Sequence, residues 1–234
     1  MPIWSPDNTT IAFEKMSANG SGNQIVQINS DGTGPEKKLF SSDTFLIPDD
    51  WSQDGTKIAV TTWPNRIGYL NIDIDPVELQ ILASSNDSAI FEISFSPDGK
   101  WITYSSSKAG GYNCYVAPID NPDRAYLVSN VYPGFSSRWS PKGDEIFYYG
   151  YQGMFSAPLE FEENGGVEIG KPTLVFDASW ITHPGIGYAV HPSGDKFLVV
   201  VHEKEEVTDH FNIVLNFDAL IEGKFSELKN NSQL

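Results

Sequence analysis

Short runs of apolar and β-branched residues recur along the whole chain, separated by clusters of Pro, Gly, Asp and Ser. Thr10-Ile11-Ala12-Phe13, Lys57-Ile58-Ala59-Val60, Trp101-Ile102-Thr103-Tyr104, Glu145-Ile146-Phe147-Tyr148 and Lys196-Phe197-Leu198-Val199 are all of this kind. Their composition predicts strands. Each is followed by a further predicted strand, at 24–29, 67–72, 112–118, 153–159 and 211–216. Short outer strands are predicted at 37–40, 79–83, 124–128 and 173–176, and segments such as 89–95 lead into the next unit. Only at the end does the period change. Phe217, Leu220, Ile221, Phe225 and Leu228 recur at near-helical spacing, which predicts a terminal helix within 217–234, weakened at Gly223, whose apolar stripe docks on the preceding strands.

The punctuation is itself a repeat. Trp4-Ser5-Pro6-Asp7-Asn8 returns as Trp51-Ser52-Gln53-Asp54-Gly55, Phe95-Ser96-Pro97-Asp98-Gly99, Trp139-Ser140-Pro141-Lys142-Gly143 and Val190-His191-Pro192-Ser193-Gly194, at spacings of 47, 44, 44 and 51 residues. Each copy is a turn with a physical cause: Pro presets φ at the first corner, Asp bonds the backbone beside it, and Gly takes the left-handed position. Four antiparallel strands in roughly 45 residues is the signature of a propeller blade. The expected fold is therefore an all-β propeller of about five units, near 1–44, 45–88, 89–132, 133–180 and 181–216, with the helix and tail at 217–234. The first unit has little room for an inner strand and the last lacks an obvious outer one. That pattern suits either a five-unit ring with a weak seam or the C-terminal portion of a longer propeller. The expected state is a monomer or part of a longer chain.

The recurrent aromatic follows from this architecture. A blade cannot bury both faces alone, so Trp51, Phe95 and Trp139 are expected to fill the space between neighbouring blades rather than to stack on a ligand. The 20 glycines and 15 prolines of the 234 residues supply the turns. A lone cysteine, Cys114, excludes an internal disulfide framework and is expected to be a small core residue.

With these motifs in place, the chain resembles the TolB-type, WD-repeat-like propeller family, whose repeats read W-S-P-D-G-K-x-I-A-F followed by a strand and a D-G-T turn. Residues 95–104 carry the first half and Ile28-Asn29-Ser30-Asp31-Gly32-Thr33 the second. The last third, through Gly170-Lys171-Pro172, Tyr188 to Leu198 and Asn212 to Phe217, looks like the closing part of propellers that end bacterial multidomain proteins. Where relatives close with N-W-F-E-E-L, this chain has Asn216-Phe217-Asp218-Ala219-Leu220-Ile221. The resemblance implies a non-enzymatic platform for protein–protein interaction. Its rivals are a propeller-type glycosidase, or an accessory propeller domain of a peptidase or signalling kinase.

Catalytic signatures are scarce. No G-x-S-x-G elbow, phosphate-binding loop or H-E-x-x-H occurs, and His202-Glu203-Lys204-Glu205-Glu206 lacks the second His. No cofactor or metal is expected. Asn71, Asp73 and Asp75 would share one side of a strand and mark a solvent-facing edge. The run Asp49-Asp50, with Glu92 and Arg138 expected at equivalent inner-strand positions of neighbouring units, approaches the channel mouth of a propeller, and these four are the candidate partner-binding residues. The formal net charge of −16 argues against nucleic acid and favours a basic protein partner. Residues 1–14 hold no Lys or Arg, and the longest apolar run, 197–201, is far too short to span a bilayer. The chain as written is expected to be soluble in the cytoplasm, or periplasmic if a signal lies upstream in a longer parent.

Overall fold

The computed structural model describes residues 2–16, 22–131, 133–177 and 187–200. By contacts the chain divides into Met1–His202 and Glu203–Leu234. The second unit, with the strand expected at 211–216 and the helix at 217–234, lies outside the described residues, as do His183, His202 and His210.

The described part is all-β. Blade 1 comprises β1 (Ile3–Trp4), β2 (Thr10–Met16), β3 (Asn23–Asn29) and β4 (Lys37–Ser42), and blade 2 comprises β5 (Leu46–Trp51), β6 (Lys57–Thr62), β7 (Arg66–Asn71) and β8 (Glu78–Ser84). Blade 3 follows with β9 (Ile90–Phe95), β10 (Trp101–Ser106), β11 (Asn113–Pro118) and β12 (Tyr126–Leu127). Blade 4 has β13 (Gly134–Trp139), β14 (Glu145–Gly150), β15 (Gly153–Phe161), β16 (Val167–Ile169) and β17 (Thr173–Asp177); β18 (Tyr188–Val190) and β19 (Phe197–Val199) begin a fifth unit. Within each blade the strands pair antiparallel in sequence order. In blade 4 the outer edge is shared: β17 pairs with the first half of β15 and β16, which the sequence pattern does not reveal, with the second.

Two expected placements change. The outer strand of blade 3 shrinks from 124–128 to Tyr126–Leu127. Asn71 ends β7, and Asp73 and Asp75 follow it in an irregular bend, so the three do not share a strand face. Pro76 has no N–H to donate to a ladder.

The apolar clusters sit between blades. Ala12 and Ile25 of blade 1 pack with Leu46, Ile58, Val60 and Leu70 of blade 2. Ala59 and Ile67 of blade 2 meet Ile93, Phe95 and Ile102 of blade 3. Trp101, Cys114 and Val116 of blade 3 meet Trp139, Tyr148 and Phe155 of blade 4, and Phe147 and Met154 meet Tyr188 of the fifth unit. Blade 3, flanked on both sides, buries every residue of β10 and β11. Each such Leu, Ile or Phe contributes about 1.5–3 kcal/mol on burial. Phe95 and Trp139 are nearly inaccessible, at 6% and 7%, and Trp51 is half-buried, whereas Trp4 is 55% exposed. Trp4 ends a two-residue strand and belongs to none of the apolar clusters among the described residues, which is where the repeat stops predicting the packing.

The turns repeat in atomic detail. Ser52 Oγ donates to Asp54 Oδ1 at 2.6 Å and accepts the Lys57 N–H at 2.9 Å, while Gly55 N–H closes the turn on Ser52 O at 2.9 Å. Ser5 with Asp7 and Ser96 with Asp98 do the same. In blade 4 Lys142 stands where the Asp would be, and Ser140 donates instead to Asp144 at 2.7 Å, two residues on. In the fifth unit His191 replaces the Ser: its Nδ1 accepts the Ser193 N–H at 3.1 Å, and the Ser193 hydroxyl donates to Asp195. Gly55, Gly99, Gly143 and Gly194 have φ between 69° and 79°, and Asn8 takes 60° in the first copy, as the left-handed corner requires.

Successive turns also stack on one another. A Cβ at Gly55 would lie 3.8 Å from Pro6, at Gly143 3.5 Å from Pro97 and at Gly194 3.4 Å from Pro141. Gly99 has no neighbour within 4 Å, because Gln53 stands where the other turns carry proline.

Candidate functional site

A pocket of about 890 Å³ lies where the inner strands converge at the turn end of the blades. All five units reach it: Ile3 from β1, Asp49 to Trp51 from β5, Ser94 and Phe95 from β9, Arg138 and Trp139 from β13, and Tyr188 to Val190 from β18. Pro97, Pro141 and Pro192 form part of its rim.

Of the four candidate residues, Asp49, Asp50 and Arg138 line this pocket and Glu92 does not. Counting back from the aromatic that ends each inner strand, Asp50 and Arg138 are equivalent, one residue before Trp51 and Trp139. Glu92 lies three residues before Phe95, where blade 4 has Ser136 and blade 2 has Pro48. The reason the pattern misplaces Glu92 is a bulge. The inner-strand ladder skips between Pro48 and Asp50 in β5 and between Phe135 and Arg138 in β13, and the β9–β10 pairing shifts in the same place. Glu92 and Ser136 both take left-handed φ, 57° and 56°. An extra residue in a strand reverses which face the following side chains present.

Two carboxylates there tie one blade to the next. Asp50 Oδ2 accepts from Ser94 Oγ at 2.7 Å and from the Phe95 N–H at 2.9 Å, and its Oδ1 accepts the Trp51 N–H at 2.9 Å. One blade further, Glu92 Oε2 accepts from the Ser136 N–H at 2.9 Å and Ser136 Oγ at 3.0 Å, with Ser105 Oγ at 3.3 Å. Hydroxyls on the second strands complete the latch: Thr61 Oγ1 accepts the Glu92 N–H at 3.0 Å, and Ser105 Oγ, 44 residues on, accepts the Ser136 N–H at 3.1 Å. Sequence reasoning missed Thr61 and Ser105, although their spacing by one repeat was readable. These bonds satisfy polar groups that the blade interface would otherwise desolvate.

Burial governs the ionisation of the aspartates. Asp49 is buried, and loss of hydration pushes its carboxyl up to about 7, against the hydrogen bond from Thr61 Oγ1 at 2.6 Å and the nearby charge of Arg138. Asp50 is raised for the same reason, opposed by Arg138 and by its donors Ser94, Phe95 and Trp51. The turn carboxylates go the other way: the Ser52 hydroxyl and the Thr56 N–H hold Asp54 down at about 2. The Arg138 guanidinium is half-buried and donates Nη1 to Ser137 O at 2.8 Å. Among the described residues no carboxylate lies within ion-pair distance of it, and no cluster of three or more His, Cys, Asp or Glu is placed to hold a metal ion. Cys114 is buried between blades 3 and 4, and desolvation raises its thiol well above the usual range, which leaves it unreactive.

Four-stranded radial blades, joined by latches at the repeat period and opening on one axial pocket, define a β-propeller. A structure of TolB from Acinetobacter baumannii matches with a TM-score of 0.59 at 18% identity, covering 85% of this chain and 48% of that one. An oligogalacturonate lyase in complex with manganese matches with a TM-score of 0.58 at 12% identity, over 85% of this chain and 60% of the lyase. An uncharacterized protein of Agrobacterium fabrum is 24% identical over 135 residues, 56% of this chain and 45% of its own length. No family model matches the chain. The fold is thus a TolB-like β-propeller, and the chain spans about half the length of the TolB structure and of the curated relative.

Proposed function

We propose that the chain is a non-enzymatic, TolB-like propeller that holds a protein partner at the mouth of its pocket. The observation that carries this reading is the engagement of Asp50 and Glu92 as acceptors between blades. A general acid–base pair needs carboxyl oxygens within reach of a substrate, whereas these accept from the protein itself. The pocket combines aromatic and proline surface with one cation, a composition suited to a protruding segment of a partner. The net charge of −16 favours the approach of a partner with a basic surface.

The test is affinity capture with the intact chain from an extract of the organism that encodes it. Wild type is compared with Arg138→Glu and with Gln53→Trp, which adds bulk on the exposed rim. A captured protein whose recovery falls in both variants, with thermal unfolding unchanged, is the expected result. Equal recovery by wild type and both variants removes the mouth as the docking site.

A further inference from the structure

Most side-chain donors that line the pocket are already spent within the protein. The pocket's hydroxyl and indole donors are engaged: Ser94 on Asp50, Ser96 on Asp98, Ser140 on Asp144, Tyr188 on Ser136 O, and Trp139 on Ser94 O. Trp51 Nε1 likewise donates to Gly55 O. Asp50 already accepts three hydrogen bonds, and Asp49 accepts from Thr61. Among the described lining side chains, the largest unused donor capacity is that of Arg138. Arg138 has five N–H groups and uses one on Ser137 O. The exposed amide of Gln53 also lines the pocket.

We propose that the mouth pocket is a carboxylate-binding site, with Arg138 as the anchor, Gln53 as a second donor, and the aromatic and proline walls receiving an apolar stem. A planar guanidinium fork pairs bidentately with a carboxylate, and a volume of about 890 Å³ accommodates a side chain or chain terminus with its neighbours. The assignment rests on the docking reading above and gives the chemistry of the group held. Long-range charge governs the approach of the partner; the local donors decide which of its groups enters. The carboxylate belongs to the C-terminus of a peptide or to a free carboxylic acid of similar shape, and the two sources are separable.

Isothermal titration calorimetry on the full chain uses four probes: acetyl-Gly-Leu-Phe with a free C-terminus, the same peptide as its carboxamide, 3-phenylpropionate, and 3-phenylpropionamide. A charge-assisted pair predicts that an acid binds at least about tenfold more tightly than its amide, and that Arg138→Gln removes the difference. Arg138→Lys, which keeps the charge without the fork, should fall between. Thermal unfolding of each variant verifies the fold, and if Arg138→Gln does not fold, the acid–amide comparison on wild type and Arg138→Lys still decides. Preference for the peptide acid assigns the carboxylate to a protein partner, and preference for 3-phenylpropionate to a small acid. Equal binding of acids and amides, or no binding of either acid, overturns the assignment. Should that happen while Arg138→Glu still abolishes partner capture, the docking reading stands alone; acid binding with capture untouched would remove the docking reading instead.

Discussion

Replacing Glu92 by alanine deletes the acceptor that ties the third blade to the fourth. Two bonds carry most of the loss, from the Ser136 N–H at 2.9 Å and Ser136 Oγ at 3.0 Å; the Ser105 contact at 3.3 Å is weaker. Hydrogen bonds to a charged group contribute about 1.5–3 kcal/mol each. The Ser136 N–H keeps Ser105 Oγ at 3.1 Å as a second acceptor, which recovers part of its share. The net cost is therefore about 2–4 kcal/mol, a fall in Tm of roughly 5–15 °C for a domain of this size. Backbone conformation supplies an internal control. Because Glu92 sits at φ 57°, alanine there bears a left-handed strain of about 1–2 kcal/mol that glycine does not, while glycine loses about 0.5–1 kcal/mol in chain entropy. Glu92→Gly should thus be at least as stable as Glu92→Ala, the reverse of the order in an ordinary strand. Urea titration of both variants, with a double-mutant cycle against Ser136→Ala, measures the coupling. A loss below about 1 kcal/mol in Glu92→Ala, or glycine clearly worse than alanine, would refute the latch and leave Glu92 available as the channel-mouth binding residue expected from the sequence.

Gln53→Pro restores the proline that the four other turns carry and places it against Gly99; thermal melts should show a gain of about 0.4–1 kcal/mol, and a loss would mean that the turn at 52–55 differs from the others. Asp49 bears on pH. Its folded carboxyl is raised to about 7, so its contribution is complete below about pH 4 and is lost as pH climbs through 7. Asp49→Asn should accordingly gain on wild type across that interval, by about 1–4 kcal/mol at pH 8 and little at pH 4. The same difference at both pH values in denaturant titrations would contradict a buried, protonated Asp49. Asp54, held at about 2, acts in the opposite sense, and its smaller contribution fades only as pH falls from 4 toward 2.

Much of this protein was readable from local chemistry. The aromatic-Ser-Pro-Asp-Gly turns, the four-strand period and the burial of Phe95 and Trp139 between blades all follow from short-range preferences repeated at fixed spacing. Even the substitution at Lys142 leaves its trace, since Asp144 stands close enough to take over the bond from Ser140. Site placement was less legible. Asp49, Asp50 and Arg138 do line the axial pocket, but Glu92, expected beside them as an equivalent inner-strand position, does not.

Tertiary structure decided the rest, for a definite physical reason. A bulge at the same point of three inner strands breaks the two-residue alternation, so the facing of Glu92 and Ser136 cannot be counted from either end. Their partners also lie 44 residues away, beyond any local window, and become neighbours only when successive blades pack. Sequence by itself determined the repeat, the turns and the blade. Packing of blade on blade determined that Asp50 and Glu92 serve the ring, and that the guanidinium of Arg138 is left with donors facing the pocket.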